Sequence, residues 1–419
     1  MALEVPTHPS RRGLLAAAGG LVAAVGGGFA AGAAVPQAAK ARAPVEPFFG
    51  AHQGGIVTPA QDHTYLAAFD LRTTKREDVM KLLRSWTDTA ARMSLGAPAA
   101  PPAATLDAPG TDSDEALGLT PARLTVTFGF GAGLFEKAGK DRYGLAVVRP
   151  AALVDLPRFN GDQLVPTRTG GDLSVQACSD DPMVAFHAVR QLSRLAYDIA
   201  EIRWTQSGFQ SRQAKGGTPR NLMGFKDGTH SPPQVDPVVW VGTEGPAWMQ
   251  GGSYVVVRRI RMALEHWDRT NVGFQEQTLG RHKVSGAPLG LRDEFAPLRL
   301  DRADKDGNPI IPENAHVRLA NAASNGGAEI LRRGYSYNDG VNFTAERWPP
   351  WRQGMEYDAG LLFVAYQRDP RTGFVKIFEN MAKFDMLNQF VTHTGGGLFA
   401  CPGGVREGEF VGQRLFVGV

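Results

Sequence analysis

Cysteine is scarce in this 419-residue chain: there are two, Cys178 and Cys401, with no C-x-x-C, no C-x-x-C-H and no cysteine–histidine spacing of the zinc type. Covalent c-type haem and a structural zinc are therefore unsupported. The two could pair outside the cell, but Cys178 ends the strand-like run Val175-Gln176-Ala177-Cys178, and a buried free thiol is the expected state. Clustered positive charge is also missing. The chain has 45 basic and 42 acidic residues, and setting aside Arg11, Arg12, Lys40, Arg42 and Glu4 in the first 43 leaves 41 of each. Nucleic acid and anionic membrane surfaces need concentrated positive charge, so neither is expected as a partner. A dense apolar span is lacking too. The one long weakly apolar stretch, Leu14 to Val35, is rich in Gly and Ala. It follows Ser10-Arg11-Arg12-Gly13 and precedes the A-x-A sites Ala39-Lys40-Ala41 and Ala41-Arg42-Ala43. Paired arginines, a mild apolar region and small-residue cleavage sites predict a twin-arginine export signal over residues 1–43 rather than a membrane anchor. The remaining chain is then expected to be periplasmic, at the cell surface or extracellular, with no integral membrane span. Export of an already folded protein gives the first expectation of a bound cofactor.

Some 376 residues follow position 43, more than one hydrophobic core usually organises. Two domains are expected, residues 44–245 and 246–419. Thr64 to Leu71 reads as a strand, with Val79, Leu82, Leu83 and Trp86 at helical spacing behind it. Leu124 to Phe128 and Leu173 to Cys178 read as further strands. Asp180-Asp181-Pro182 then caps a helix whose predicted buried stripe is Met183, Phe186, Val189, Leu192, Ala196 and Ile199. A like order recurs 188 residues later, measured from Pro182 to Pro370. Shifted by that offset, the first strand falls on Ser253 to Val257, the first helix on Leu264 to Arg281 and the second strand on Ile310 to His316; Gly360 to Gln367 precedes Asp369-Pro370. The pattern predicts an α+β fold built of two tandem ferredoxin-like β-α-β-β-α-β units.

Between the two copies lies Asn221-Leu222-Met223-Gly224-Phe225-Lys226-Asp227-Gly228-Thr229, one carboxylate between two glycines. Lys-Asp-Gly is ordinary turn chemistry. A carboxylate buried there would have its pKa lifted and could shuttle protons, and the junction of two repeats favours a cofactor pocket. Of nine histidines, His316 stands apart by opening Ala315-His316-Val317-Arg318-Leu319-Ala320-Asn321, where an imidazole could bind haem iron or be a satisfied structural residue. His393 precedes what reads as a Thr-Gly-Gly-Gly turn. Arg332 and Arg333 can stabilise developing negative charge or hold a propionate, and equally could line a solvated strand edge.

Together, Gly224-x-x-Asp227-Gly228, Ala315 to Asn321, Leu331-Arg332-Arg333-Gly334-Tyr335 and Gly360-Leu361-Leu362-Phe363 resemble the dye-decolorizing peroxidases, in particular the exported branch that includes the deferrochelatase/peroxidases of iron uptake. The likeness runs from about Phe48 to the C-terminus and takes in His52-Gln53 and Asp172 to Ala177. Ala322 departs from it, standing where relatives often carry proline. The resemblance implies a duplicated ferredoxin-like fold of the dimeric α+β barrel type, with one non-covalent haem b between the connector loop and the second domain. It implies His316 as the iron ligand, Asp227 as distal acid/base and Arg332 as distal cation. Gly224 and Gly228 would let the loop lie against the porphyrin, Leu361 and Phe363 would line the distal side, and Arg318 and Arg333 would be propionate contacts. Either Glu329 or Asp358 would hydrogen-bond the other nitrogen of His316. The implied activity is reduction of hydrogen peroxide with oxidation of dyes, phenols or other aromatic electron donors through a ferryl intermediate. The alternative is a haem- and iron-handling protein working with iron-uptake components, its peroxidase activity incidental.

Overall fold

The computed structural model describes residues 45–417 apart from 104, 106, 212–216, 233 and 346–352, so the export signal expected over residues 1–43 falls outside the described residues. Among these residues no helix is long and apolar enough to cross a membrane.

The first half runs β1 (His63–Leu71), α1 (Arg76–Ser94), β2 (Thr125–Phe130), the short α2 (Ala132–Phe135), β3 (Leu173–Ser179), α3 (Pro182–Ala196) and β4 (Ala200–Phe209). A single-turn helix α4 (Asp236–Val239) leads to the second half. This comprises β5 (Ser253–Met262), α5 (Leu264–Asp268), α6 (Val272–Leu279), α7 (His316–Ala320), β6 (Leu331–Arg332), β7 (Tyr335–Ala345), β8 (Gln353–Gln367), α8 (Phe374–Phe384) and β9 (Val391–Cys401).

The strands form one sheet in the order β5-β9-β2-β3-β1-β4-β7-β8-β6, and β5 also pairs with β8. That extra pairing closes eight strands into a barrel. β6 continues the line of β7 along β8, bridged by Arg333 N–H donating to Val364 O at 2.7 Å. Strand alternation sorts the side chains. Leu66 and Ala68 point into the barrel with Val255, Val257, Leu362, Val364 and Phe399. Ala67 and Phe69 face outwards, where Trp86 of α1 and Val189 and Leu192 of α3 cover them. On β8 the same rule sends Leu362 and Val364 inward and leaves Leu361 and Phe363 on the outer face. Strands of both halves share the barrel, so from Ala43 on the chain is one compact unit.

Several expectations need correction. Ile310 to His316 is not a strand: His316 is the first residue of α7, and the strand paired with β8 arrives later as β6 and β7. After α6 the chain does not return to the sheet until β6 at Leu331. The helix expected over Leu264 to Arg281 is broken between Asp268 and Val272. On α3, Asp181 caps as expected, accepting from Met183 and Val184 N–H, but Met183 and Phe186 are exposed and His187 is buried. The helix is rotated so that Val184, Ala188 and Val189 face the sheet. Thr394 to Gly397 is not a turn but part of β9, where a Cβ on Gly396 would run into Val257 O of the neighbouring strand. Cys178 and Cys401 are buried free thiols.

Candidate functional site

The outer face of β5 and β8, the loop between β4 and β5, and the helices of the second half enclose a cavity of about 760 Å³. Its apolar walls include Ile260, Leu361 and Phe363 on one side and Phe378, Met381 and Leu387 from α8 and the segment after it. Asp227, His316 and Arg332 all line it, although 105 residues separate Asp227 from Arg332.

The loop before β5 folds back on itself around Asn221. The Asn221 Oδ1 accepts from the backbone N–H of Met223 at 3.1 Å and Phe225 at 3.3 Å, Asn221 N–H donates to Phe225 O, and Asp227 N–H donates to Pro219 O. This tight return needs left-handed backbone at Gly224 (φ +83°) and Gly228 (φ +111°), which glycine adopts without a steric penalty. A Cβ on Gly224 would meet the flexible end of Lys283, and one on Gly228 would have room beside Thr218. Gly224 is not part of the cavity wall. Both glycines therefore serve the turn through their backbone angles, and the close approach expected at Gly224 is not what places it.

Arg332 Nη1 donates to Asp227 Oδ1 at 2.9 Å, and Asn221 Nδ2 lies 3.5 Å from Asp227 Oδ2. Burial raises the pKa of the Asp227 carboxyl, but the charge and hydrogen bond of Arg332, with His316 and Asn221, outweigh it and hold the group below the ordinary carboxylate value. The expected rise is thus reversed, because the partner cation sits within hydrogen-bond distance. Asp227 is an ionised base at neutral pH.

His316 Nδ1 is 2.7 Å from Asp385 Oδ2. Asp385 follows α8, and its other oxygen accepts from Leu387 N–H at 2.8 Å, while Met386 N–H donates to Asn314 O. The acid is therefore fixed at both oxygens. Burial disfavours the charged imidazole, but the Asp385 carboxylate more than compensates and raises the His316 pKa. With Nδ1 engaged, Nε2 is left to bind a metal, and the carboxylate makes it a more basic ligand. Neither expected partner has this role. Glu329 lines the cavity but pairs with His230, and Asp358 is held by Arg259 at 2.8 Å.

The cavity wall holds two further histidines, His230 and His393; Nδ1 of His393 is buried without a hydrogen-bond partner among the described residues. Burial and the Arg258 charge push its pKa down to about 3. It is neutral but has no carboxylate behind it, which separates it from His316.

Arg318 and Arg333 do not reach the cavity wall. Arg318 donates to Ile311 O, Pro312 O and Leu300 O, bracing the loop before its own helix. Arg333 points the other way along the strand line, donating to Thr58 O and to Gln61 Oε1. As neighbours in an extended segment, Arg332 and Arg333 face opposite sides. The additional arginine in the wall is Arg281, its Nη1 held by Gly286 O and Glu294 O. Sequence reasoning missed Asp385, Arg281, Ile260 and the α8 face. Only the apolar period of α8 carried a signal for any of them.

The chain is similar to known proteins over nearly all of its described length. Family models described as Dyp-type peroxidase, N-terminal and C-terminal, match residues 53–210 and 218–406. The chain is 41% identical over 388 residues to the dye-decolorizing peroxidase of Thermobifida fusca, covering 88% of this chain and 84% of that protein. It is 37% identical over 429 residues to the deferrochelatase of Escherichia coli K12, covering 97% of each. Among solved structures it resembles the DyP-type peroxidase of Streptomyces coelicolor (TM-score 0.81, 43% identity, 90% of this chain and 98% of that one). It also resembles that of Cellulomonas bogoriensis (TM-score 0.78, 39% identity, 90% and 99%).

Proposed function

The chain belongs to the Dyp-type peroxidase family, and from that premise we propose that it is a haem peroxidase that reduces hydrogen peroxide and oxidises dyes, phenols or other aromatic donors. The observation that carries this is the pairing, across one cavity, of a carboxylate-backed imidazole with an ionised Asp–Arg couple.

The residues present fit a haem. The cavity volume lies within the range usual for cofactor sites, about 300–1,000 Å³, its walls are largely apolar, and His316 has one nitrogen engaged by Asp385 and one left for iron. We read the group as non-covalent haem b, since no cysteine lies in the cavity wall and no C-x-x-C-H exists. His316 would ligate it, and Leu361, Phe363 and Ile260 would pack against it. We read residues 44–245 and 246–419 as two copies of one ferredoxin-like unit, supported by the matching order of strands and helices, with the haem held by the connector loop and the second copy.

Bound haem would supply the redox chemistry, accepting two electrons' worth of oxidation from peroxide and returning it to donors one electron at a time. The chain's own groups handle the protons. Asp227, already ionised, takes a proton from the attacking oxygen of hydrogen peroxide and delivers it to the leaving oxygen. Arg332 offsets the negative charge that grows on that oxygen as the O–O bond breaks. General acid/base help of this kind is worth about 10²–10⁴ in rate, and one charge-stabilising donor about 10²–10³. Asp385 holds the His316 ring in one tautomer and orientation. Export through the twin-arginine route is the reading of residues 1–43.

An absorption spectrum of the purified protein tests the cofactor: a Soret band that changes on adding peroxide is expected, and a protein that takes up no haem would refute the reading. The alternative, iron release from haem in an uptake system, rests on the deferrochelatases that match nearly the whole chain. It requires intact protoporphyrin to be recovered after incubation with haem; haem that stays metallated rejects it.

A further inference from the structure

The loop that carries Asp227 is gripped at a second place, apart from the hydrogen bonds of Asp227 itself, by groups that also line the cavity. Lys226 Nζ donates to Glu294 Oε2, and Thr229 Oγ1 donates to Glu294 Oε1 at 3.2 Å. These two donors stand on either side of Asp227 in the chain, so one carboxylate holds both shoulders of the acid/base residue. Thr218, at the start of the same loop, also hydrogen-bonds Glu294 and helps hold its carboxyl below the ordinary range, against the raising effect of burial.

Glu294 is itself anchored. Arg281 Nη1 donates to Glu294 O at 3.1 Å and to Gly286 O at 2.7 Å. The Lys226 stem lies across Gly286, where φ is +76° and a Cβ would come within 2.6 Å of Lys226 Cδ. A second brace runs parallel: Arg220 donates to Lys283 O at 2.6 Å and Val284 O at 2.7 Å. The segment 281–294 is thus a splint laid along the Asp227 loop; Lys283 Nζ lies over the Phe225 ring, and Glu294 supplies the carboxylate that accepts from the loop on both sides of Asp227. Asp227 takes its own side-chain hydrogen bonds from Arg332 and Asn221, so the hydrogen bonds of Glu294 act on it through the loop that carries it.

We propose that Glu294 is a positioning residue for Asp227, fixing the carboxylate against Arg332 by holding Lys226 and Thr229. This rests on Asp227 being the acid/base group. Proton transfer from bound peroxide tolerates little displacement, and an error of about 1 Å in such a group can cost on the order of 10²-fold in rate.

The test is a double-mutant cycle in holoenzyme, read as the second-order rate of the Soret change on mixing with hydrogen peroxide. Glu294→Ala should slow that step by about ten- to a hundredfold while haem content and the KM for an aromatic donor stay unchanged. In an Asp227→Asn background the same substitution should cost nothing further, because the residue it positions has lost its function. Glu294→Gln, which keeps an acceptor for Lys226 and Thr229, should recover part of the loss. Lys226→Met, which removes the latch from the other side, should reproduce it if the alanine variant folds poorly. Deuterium uptake supplies a readout independent of turnover: the amides of Asn221, Gly224 and Asp227 should exchange faster in Glu294→Ala. Wild-type peroxide kinetics in Glu294→Ala and Lys226→Met, or losses that multiply with Asp227→Asn, would overturn the positioning role while leaving Asp227 in place. If Asp227→Asn itself reacts at the wild-type rate, the acid/base reading falls, and the positioning role with it.

Discussion

At the scale of single residues, the role proposed for the Asp227–Arg332 pair carries a pH dependence. Arg332 holds the folded-state pKa of Asp227 below its ordinary value, so the base form, and with it the peroxide step, should persist as pH falls below about 3.9. It should be lost only as pH passes through the depressed pKa. Arg332→Leu removes the main lowering influence, so the acid limb of the rate profile should move to higher pH; a limb that stays put would show that Arg332 does not set it. Behind His316, Asp385→Asn should keep the fold but weaken the proposed haem ligand, with about a 10- to 100-fold loss of haem affinity in a haem-transfer titration. His316, Asp227 and Arg332, which the fold brings to one cavity, could be singled out in the sequence because each sits in a short motif of its own. Asp385 was not, since it lies 69 residues beyond His316 and meets it only once α8 folds back. The direction of the Asp227 shift was misread for a related reason: burial can be guessed from a loop's glycines, but the cation that overrides it arrives from a different strand.

At the scale of elements, the site depends on the seam where β5 and β8 close the barrel, because Ile260 and the pair Leu361 and Phe363 stand on the two sides of that seam. Gly360 lies opposite Arg261 there, and a Cβ at Gly360 would run into Ile260 O. Gly360→Ala should force the strands apart and lower the melting temperature, with a cost of about 1–3 kcal/mol or more; an unchanged melting curve would contradict the tight closure. Most strands were readable from their apolar β-branched runs, and α3 from its cap. The expected 188-residue offset failed at Ile310 to His316 because a fixed spacing cannot register a longer connection, here one that runs to Leu331 before the next strand. There the chain uses its extra residues to build α7, which presents His316.

For the whole molecule, closure of one barrel by strands from both halves means that neither half buries its sheet edges alone. Calorimetry of the chain without residues 1–43 should therefore give one unfolding transition, and two well-separated transitions would contradict a shared barrel. Much of the order of strands and helices was legible in sequence, but the sharing of one barrel was not, since pairings such as Phe130 with Ala400 and Phe209 with Ser336 join strands that no local period connects. This arrangement brings a loop from the junction, a strand end and a short helix to one cavity, and the central claim is that their meeting makes a peroxide-reducing haem site with Asp227 as its proton carrier. Stopped-flow absorption of the haem-loaded wild type and Asp227→Asn, mixed with hydrogen peroxide at matched haem content, tests this most directly. The account predicts a Soret change that is about 10²–10⁴ slower in the variant; equal rates in the two proteins would contradict it.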